Sequence, residues 1–232
     1  MNQFFKKWRR ANLNNMGKYL LYGLGEILLI IIGILIAVNI GDRQTQKQNN
    51  ITRCQYLHEL EFAIGLDKKD VLDNIEAFEI WNPMIAEVLE GLNDKSLSDV
   101  DSLSTKLAAI AEFVTFLQQS KSKIEELKYA DINLLTNREL KNELLFYQDT
   151  KITFLLEHQR RFNQHNDKVE DFFLNERTIS VSTLEEDKYF YRLTLKKLQK
   201  HQYMLYTYEE LLQVIVDLED QIQAELNLNC EE

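Results

Sequence analysis

Four histidines, two cysteines and one carboxylate within an apolar run are the residues whose types could do chemistry. The histidines are His58, His158, His165 and His201. A di-iron bundle places glutamate three residues before each ligating histidine, and none of the four has one. His58-Glu59 begins like a zinc-protease helix, but Phe62 stands where the second histidine belongs. His158 and His165 lie seven apart, on one face of a helix, where they can share a ligand or form part of a polar helix seam. Gly23-x-Gly25 resembles the start of a nucleotide loop, yet Leu28 replaces the third glycine. Walker A loops and nucleophile elbows both need glycines, and no glycine follows Gly91. These residues predict no metal, no cofactor and no enzymatic activity. Cys54 and Cys230 can pair in an oxidising compartment or stand as separate thiols.

Glu26 is set in the run YLLYGLGEILLIIIGILIAVNI, from Tyr19 to Ile40. At 1.5 Å per residue those residues cover about 33 Å, enough for a hydrocarbon core of about 30 Å. A charged carboxylate within such a span costs a few kcal/mol, so it is neutralised, paired or functional. Glu26 and Gly33 are seven apart, and Gly33, Ala37 and Gly41 follow at spacing four. Such small-residue faces let two membrane helices approach closely. Glu26, Gly33, Ala37 and Gly41 are therefore the candidate association face, with Tyr22 one turn away as a hydrogen-bond donor. The other reading has Glu26 reaching toward the headgroups.

Ahead of the span, Lys6, Lys7, Arg9, Arg10 and Lys18 stand without a single acid. The positive-inside rule places residues 1–18 in the cytoplasm, 19–40 in the bilayer and 41–232 across it. The long apolar run without a small-residue exit predicts an uncleaved anchor.

Lys18-Tyr19-Leu20-Leu21-Tyr22, Gly25-Glu26-Ile27-Leu28-Leu29 and Ile32-Gly33-Ile34-Leu35-Ile36-Ala37 resemble the anchor of a family of functionally uncharacterised single-pass bacterial membrane proteins. Its pattern is roughly KYLLYxxGEIxLxxIGIxIA. Thr136-Asn137-Arg138-Glu139-Leu140 and Tyr208-Glu209-Glu210-Leu211-Leu212 are similar in kind to its extramembrane part. Gly41-Asp42-Arg43 departs from an expected Asn-Asn-Trp exit, and a glycine expected near Ala130-Asp131 is missing. The resemblance implies the inner membrane of a Gram-negative bacterium, hence a periplasmic domain, and supplies no activity.

The remainder is acidic and helical. Setting aside the five N-terminal bases and Glu26 leaves 22 bases against 36 acids from Gly41 onward, a net charge of −14. That charge repels phosphate backbones, so no nucleic-acid partner is expected. Pro83 is the one proline, and 141 residues follow Gly91 without either chain breaker. A sheet of that length would need turn glycines.

Leu57, Ile64, Val71 and Phe78 recur every seven residues, a coiled-coil-like stripe that predicts a helix ending near Asn82-Pro83, since the residue before proline disfavours α geometry. A short helix to Gly91 and a loop over 93–97 follow. Ser98 is the expected cap of a helix with the stripe Leu103, Leu107, Ile110, Val114 and Leu117. Thr136-x-x-Glu139 and Thr183-x-x-Glu186 match the capping box and predict helices over about 137–175 and 184–228. The last carries Leu198, Leu205, Leu212, Ile215, Ile222 and Leu226. An extended piece is expected, if anywhere, around Ile179–Val181. Phe172-Phe173, Tyr189-Phe190-Tyr191, Tyr203, Tyr206 and Tyr208 are read chiefly as core.

The whole is expected to be all-α: one transmembrane helix, then an elongated bundle of four or five helices. The expected function is a membrane-anchored scaffold or adaptor, set in the lipid bilayer, that self-associates as a homo-oligomer, binds an envelope protein partner, or does both. The alternative is a subunit of a transport or signalling complex that uses Glu26.

Overall fold

A computed structural model of the chain describes residues 3–115, 135–175 and 180–230. The order is α1 (Gln3–Asp94), a 3₁₀ turn (Leu97–Asp99), α2 (Leu103–Glu112), α3 (Arg138–Phe146), a π-helical segment (Tyr147–Ile152), α4 (Thr153–Asn175), α5 (Val181–Glu186) and α6 (Lys188–Asn229). Among the described residues there is no strand, and the fold is all-α. Two units are distinguished, residues 1–52 and 53–232.

In the first unit the large apolar side chains from Leu24 to Ile40 are all exposed, Leu29 at 72 % and Ile32, the least, at 43 %. A helix apolar on every side and covered on none has no water-facing stripe. It is long and apolar enough to cross a membrane. At its polar exit the Thr45 hydroxyl donates to the Gly41 carbonyl at 3.0 Å, a bond kept within the helix.

The second unit is a bundle of the later part of α1 with α2 to α6. Leu57, Ile64, Val71 and Phe78 are each fully buried, as their spacing predicts. The expected stop at Pro83 is corrected: α1 runs through it to Asp94. An interior proline removes one hydrogen bond and costs about 3 kcal/mol. Ile85 and Leu92 continue the same seven-residue series beyond it, and Ile85 and Val88 are fully buried. Their burial, at about 1.5–3 kcal/mol each, outweighs the local preference, and Pro83 itself lies on the exposed side.

α1 ends where Lys95 turns left-handed (φ 55°) and the Ser96 amide donates back to the Gly91 carbonyl at 2.9 Å. This is a helix-ending motif in which glycine usually takes the left-handed position. Gly91 matters for another reason. A Cβ there would sit 3.0 Å from Val100 Cγ2 and 3.3 Å from Leu97 Cδ2, so its absence lets the returning chain close over the helix.

The caps are displaced from their expected residues. Ser98 lies in the 3₁₀ turn, and α2 starts after Ser102, whose side chain makes no capping bond. Ile110 is buried, but Val114 lies beyond the helix and is 42 % exposed; Leu117 is outside the described residues. Asn137, not Thr136, caps α3, its Oδ1 accepting from the Glu139 and Leu140 amides at 2.9 and 3.2 Å. Thr136 Oγ1 accepts instead from Arg53. Ser180 caps α5 by accepting from the Thr183 amide, and Asp187 caps α6 by accepting from the Tyr189 and Phe190 amides. Thr183 is thus inside a short helix rather than at the head of a long one. Short oxygen-bearing side chains compete for these orphan amides, and adjacent candidates differ by one residue. Ser180 is extended, Val181 already begins α5, and Ile179 is outside the described residues.

The buried side chains form two apolar clusters. The larger joins Tyr56–Phe78 of α1 with Leu140–Phe162 and with Met204–Leu226 of α6. The smaller joins Ile85, Val88 and Leu92 with Leu97, Ile110, Val169, Leu184, Phe190 and Leu193. Ile215, Ile222 and Leu226 of the expected α6 stripe are buried, whereas its first three members are corrected by one residue. Met204, Leu211 and Leu218 are buried, while Leu198, Leu205 and Leu212 are half-covered neighbours. Read from the sequence, Lys197 stands one turn before His201 and looks like a solvent residue, which shifts the apparent series onto Leu198.

Candidate membrane face and buried polar layer

In the first unit, Glu26, Gly33, Ala37 and Gly41 lie exposed along the helix. A Cβ added at Gly33 or Gly41 would meet nothing within 4 Å, so the close approach these residues permit is unused within one chain. Tyr22 is 80 % exposed.

In the second unit Cys54 and Cys230 form a disulfide, with Cα atoms 5.6 Å apart. It ties α1 to the end of α6.

The four histidines separate. His58 is exposed beside Glu61 at 3.3 Å. His158 is half-buried between the rings of Phe154 and Tyr203, at 4.2 and 4.9 Å. His165 is buried and its Nε2 donates to the Leu193 carbonyl at 3.2 Å. His158 and His165 therefore have separate partners. His201 is fully buried, with Nδ1 donating to Asn82 Oδ1 at 3.0 Å and its ring edge-on to Phe78. Among the described residues no three His, Cys, Asp or Glu side chains gather as metal ligands would.

A buried polar layer emerges that the sequence reading missed. Lys197, fully buried, donates from Nζ to the Phe113 carbonyl at 3.0 Å and to Asn166 Oδ1, and Asn166 Nδ2 donates to the same carbonyl. The ammonium lies 4.9 Å from the centre of the Phe162 ring. Burial, with a smaller contribution from Lys200, pushes the Lys197 pKa down to about 7. Burial likewise pulls His201 to about 2 and His165 to about 4, so both rings are neutral at physiological pH.

These groups grip main chain. After α2 the chain leaves the helix at Phe113, which is extended, and continues without regular structure to Thr115. Asn163 pairs with Thr115 on both sides, accepting from its amide at 3.4 Å and donating to its carbonyl at 3.3 Å. The Thr115 hydroxyl donates to Asn74 Oδ1 at 2.6 Å and meets the Tyr208 hydroxyl at 2.5 Å. Gln159 completes the group by donating to Tyr208, whose pKa burial raises to about 12. Nearby in kind, the Tyr147 hydroxyl donates to Asp67 at 2.8 Å, and burial and that carboxylate hold the phenol well above its usual range. An amine titrating near neutrality can act as a nucleophile, but Lys197 is walled in by Phe162, Phe113 and His201. Here it satisfies a buried carbonyl and the Asn166 side-chain oxygen, as unmade buried bonds cost about 1–3 kcal/mol each.

The aromatic residues divide. Phe190 and Tyr208 are core, Phe172 and Phe173 pack on Phe190 at 5.2 and 5.6 Å, and Tyr189, Tyr203 and Tyr206 are exposed. The clue to the layer in the sequence was the break in each apolar series, at Asn82 in α1, His165-Asn166 in α4, and Lys197 and His201 in α6.

Comparison of the chain with protein families, with curated proteins and with solved structures gives no match.

Proposed function

We propose that this chain is a membrane-anchored scaffold or adaptor without enzymatic activity. Residues 1–18 are cytoplasmic, 19–40 span a bacterial inner membrane and 41–232 form the periplasmic part. The chain self-associates through Glu26, Gly33, Ala37 and Gly41, and its bundle engages an envelope protein. The observation that carries this reading is the apolar helix of the first unit, exposed on every side with an open small-residue face. The disulfide supports an oxidising compartment for the second unit, because such bonds rarely persist in the bacterial cytosol. The bundle's polar centre is filled by its own main chain, which favours a structural role over a catalytic one.

The test is an association assay of the full chain in a bacterial membrane, comparing native protein with Gly33→Ile and Glu26→Gln. The β-branched side chain should abolish most association by holding the backbones apart. The amide should weaken it only mildly, since it still hydrogen-bonds; polar contacts in membranes are worth on the order of 1 kcal/mol. A native chain that is monomeric, or indifferent to both changes, sinks the association. An alkaline phosphatase fused after Glu232 should be active, and an inactive fusion would overturn the topology.

A further inference from the structure

The charge of the bundle is unevenly spread along α6. From Lys188 to Tyr208 the chain carries Lys188, Arg192, Lys196, Lys197 and Lys200 with no acid, whereas 209–232 carry eight acids and no base. The acidic half is partly balanced within the bundle. Lys68 pairs with Glu219 and Lys151 with Glu210 at 4.0 Å.

Among the described residues, the basic half of α6 has no such ion pair. Arg192, Lys196 and Lys200 follow one another at spacing four and share a face of α6. On the adjacent helix α4, Arg161 and Lys168 are seven apart and also share a face. Lys200 joins the two by donating from Nζ to the Arg161 carbonyl at 2.6 Å. After burial, the like charges of Lys196, Lys168 and Arg161 are what lower the Lys200 pKa. Among the described residues, the carboxylate in ion-pair contact with this cluster is Glu157. It is already divided between Arg160 and Arg161, at 2.8 Å each. Asp167 points about 100° around α4 from Lys168. At one end of the cluster lies the His158–Tyr203 aromatic pair.

We propose that Arg161, Lys168, Lys196 and Lys200 form a binding surface for a compact ligand bearing two or more phosphate groups. Four cations from two helices packed about 8–10 Å apart exceed what Glu157, together with Asp171 one turn beyond Lys168, can neutralise. A dianionic phosphate accepts from several donors at once, with Arg161 supplying the planar fork and the lysines point charges. Compactness follows from the surroundings, because a long polyanion would run from this patch onto a domain whose net charge is −14. The phosphates belong either to a soluble oligophosphate or to a lipid headgroup.

The experiment uses the full-length protein in zwitterionic nanodiscs, titrated calorimetrically with tripolyphosphate and, separately, with dioctanoyl phosphatidic acid below its micelle concentration. Native protein is compared with Lys196→Gln/Lys200→Gln and with Lys69→Gln, a change at an exposed lysine of α1. The double change should weaken binding roughly tenfold or more, and raising salt from about 50 to 200 mM should weaken native binding steeply. Lys69→Gln should leave it unchanged, and the N-terminal bases are common to all three proteins. Circular dichroism and melting of the double variant should be unaltered or improved, since the change removes repulsion. Selective loss for tripolyphosphate identifies a soluble source; selective loss for the lipid identifies a headgroup. Equal binding by native and double variant, or no binding of either probe to native protein, overturns the proposal.

Discussion

The two apolar clusters of the bundle are built differently. The larger is made where α1, α3–α4 and α6 run alongside one another, so its members repeat at helical spacing. The smaller gathers a helix end, a 3₁₀ turn, α2, the short α5 and the start of α6. Asn82, His165, Asn166, Lys197 and His201 fall, on every helix that contributes to both, between the members of one cluster and those of the other. Apolar stripes tolerate slippage, because leucine against leucine is much the same one turn along. A lysine that must meet one carbonyl and one amide does not, as a buried polar group left unmatched is costly. The difference teaches that the layer holds register while the clusters hold the helices together, a use of buried polar groups attested in coiled coils.

The largest expected effect tests whether the clusters open separately. Cys54→Ser/Cys230→Ser releases a loop closed across a separation of 176 residues, for which chain entropy sets an upper figure of about 5 kcal/mol. Denaturant melts should show a loss of that order. Native-state hydrogen exchange should show Leu57 and Ile222, near the bond, loosening more than Ile85 and Val88. Equal loosening everywhere would mean one cooperative unit and no division at the layer.

Lys197→Met addresses the layer itself. In an unfolded chain the amine keeps its proton up to about pH 10.4, but in the fold it loses it near about 7. Between those values the unfolded state binds more protons, so this residue's contribution makes stability rise with pH across that window. Its burial penalty is greatest at and below the folded pKa. The variant should therefore be more stable at pH 7, by about 2 kcal/mol, and the advantage should shrink toward pH 10. Urea melts of both proteins at the two pH values decide it; an advantage that does not change with pH removes the titration argument. The same variant should exchange the amides of 113–115 faster, as one of the two donors to the Phe113 carbonyl is gone.

The smallest effect compares two glycines of α1. Gly65 lies beside the larger cluster, and a Cβ there meets nothing within 4 Å, so Gly65→Ala should stabilise by about 0.5–1 kcal/mol through helix propensity. Gly91 lies beneath Val100 and Leu97, and Gly91→Ala should instead cost about 1 kcal/mol as those side chains are pushed away. Thermal melts with opposite signs support the contrast. Two gains would show the turn over Gly91 to be loosely packed.

The same contrast explains what the sequence disclosed. The long apolar helix and the larger cluster were legible because each rests on one local rule, continuous apolarity in one case and seven-residue spacing in the other. Helix ends were legible only to within a residue, since Thr136 and Asn137, or Thr183, Ser180 and Asp187, offer near-equivalent oxygens and packing chooses among them. The helix through Pro83 was not legible from the local preference of Asn82, because the energy that overrides it comes from burying Ile85 and Leu92. Lys197 was hidden by its type. Nothing local distinguishes a lysine in water from one that must reach a carbonyl 84 residues earlier in the chain.

The π-helical segment at Tyr147–Ile152 has a bearing on this layer. Each of its turns takes in an additional residue relative to the α-helices on either side, and it places both Tyr147 and Gln148 in the interior before Ile152. It behaves as a phase adjuster between two stretches of one helix, setting the angle at which Asn163, His165 and Asn166 arrive some four turns later. Losing a single residue there would regularise the helix and turn everything downstream by about 100°, carrying Asn166 away from Lys197. The length of this one buried stretch is thus more tightly constrained than the length of the surface turns, where an added residue shifts no buried partner.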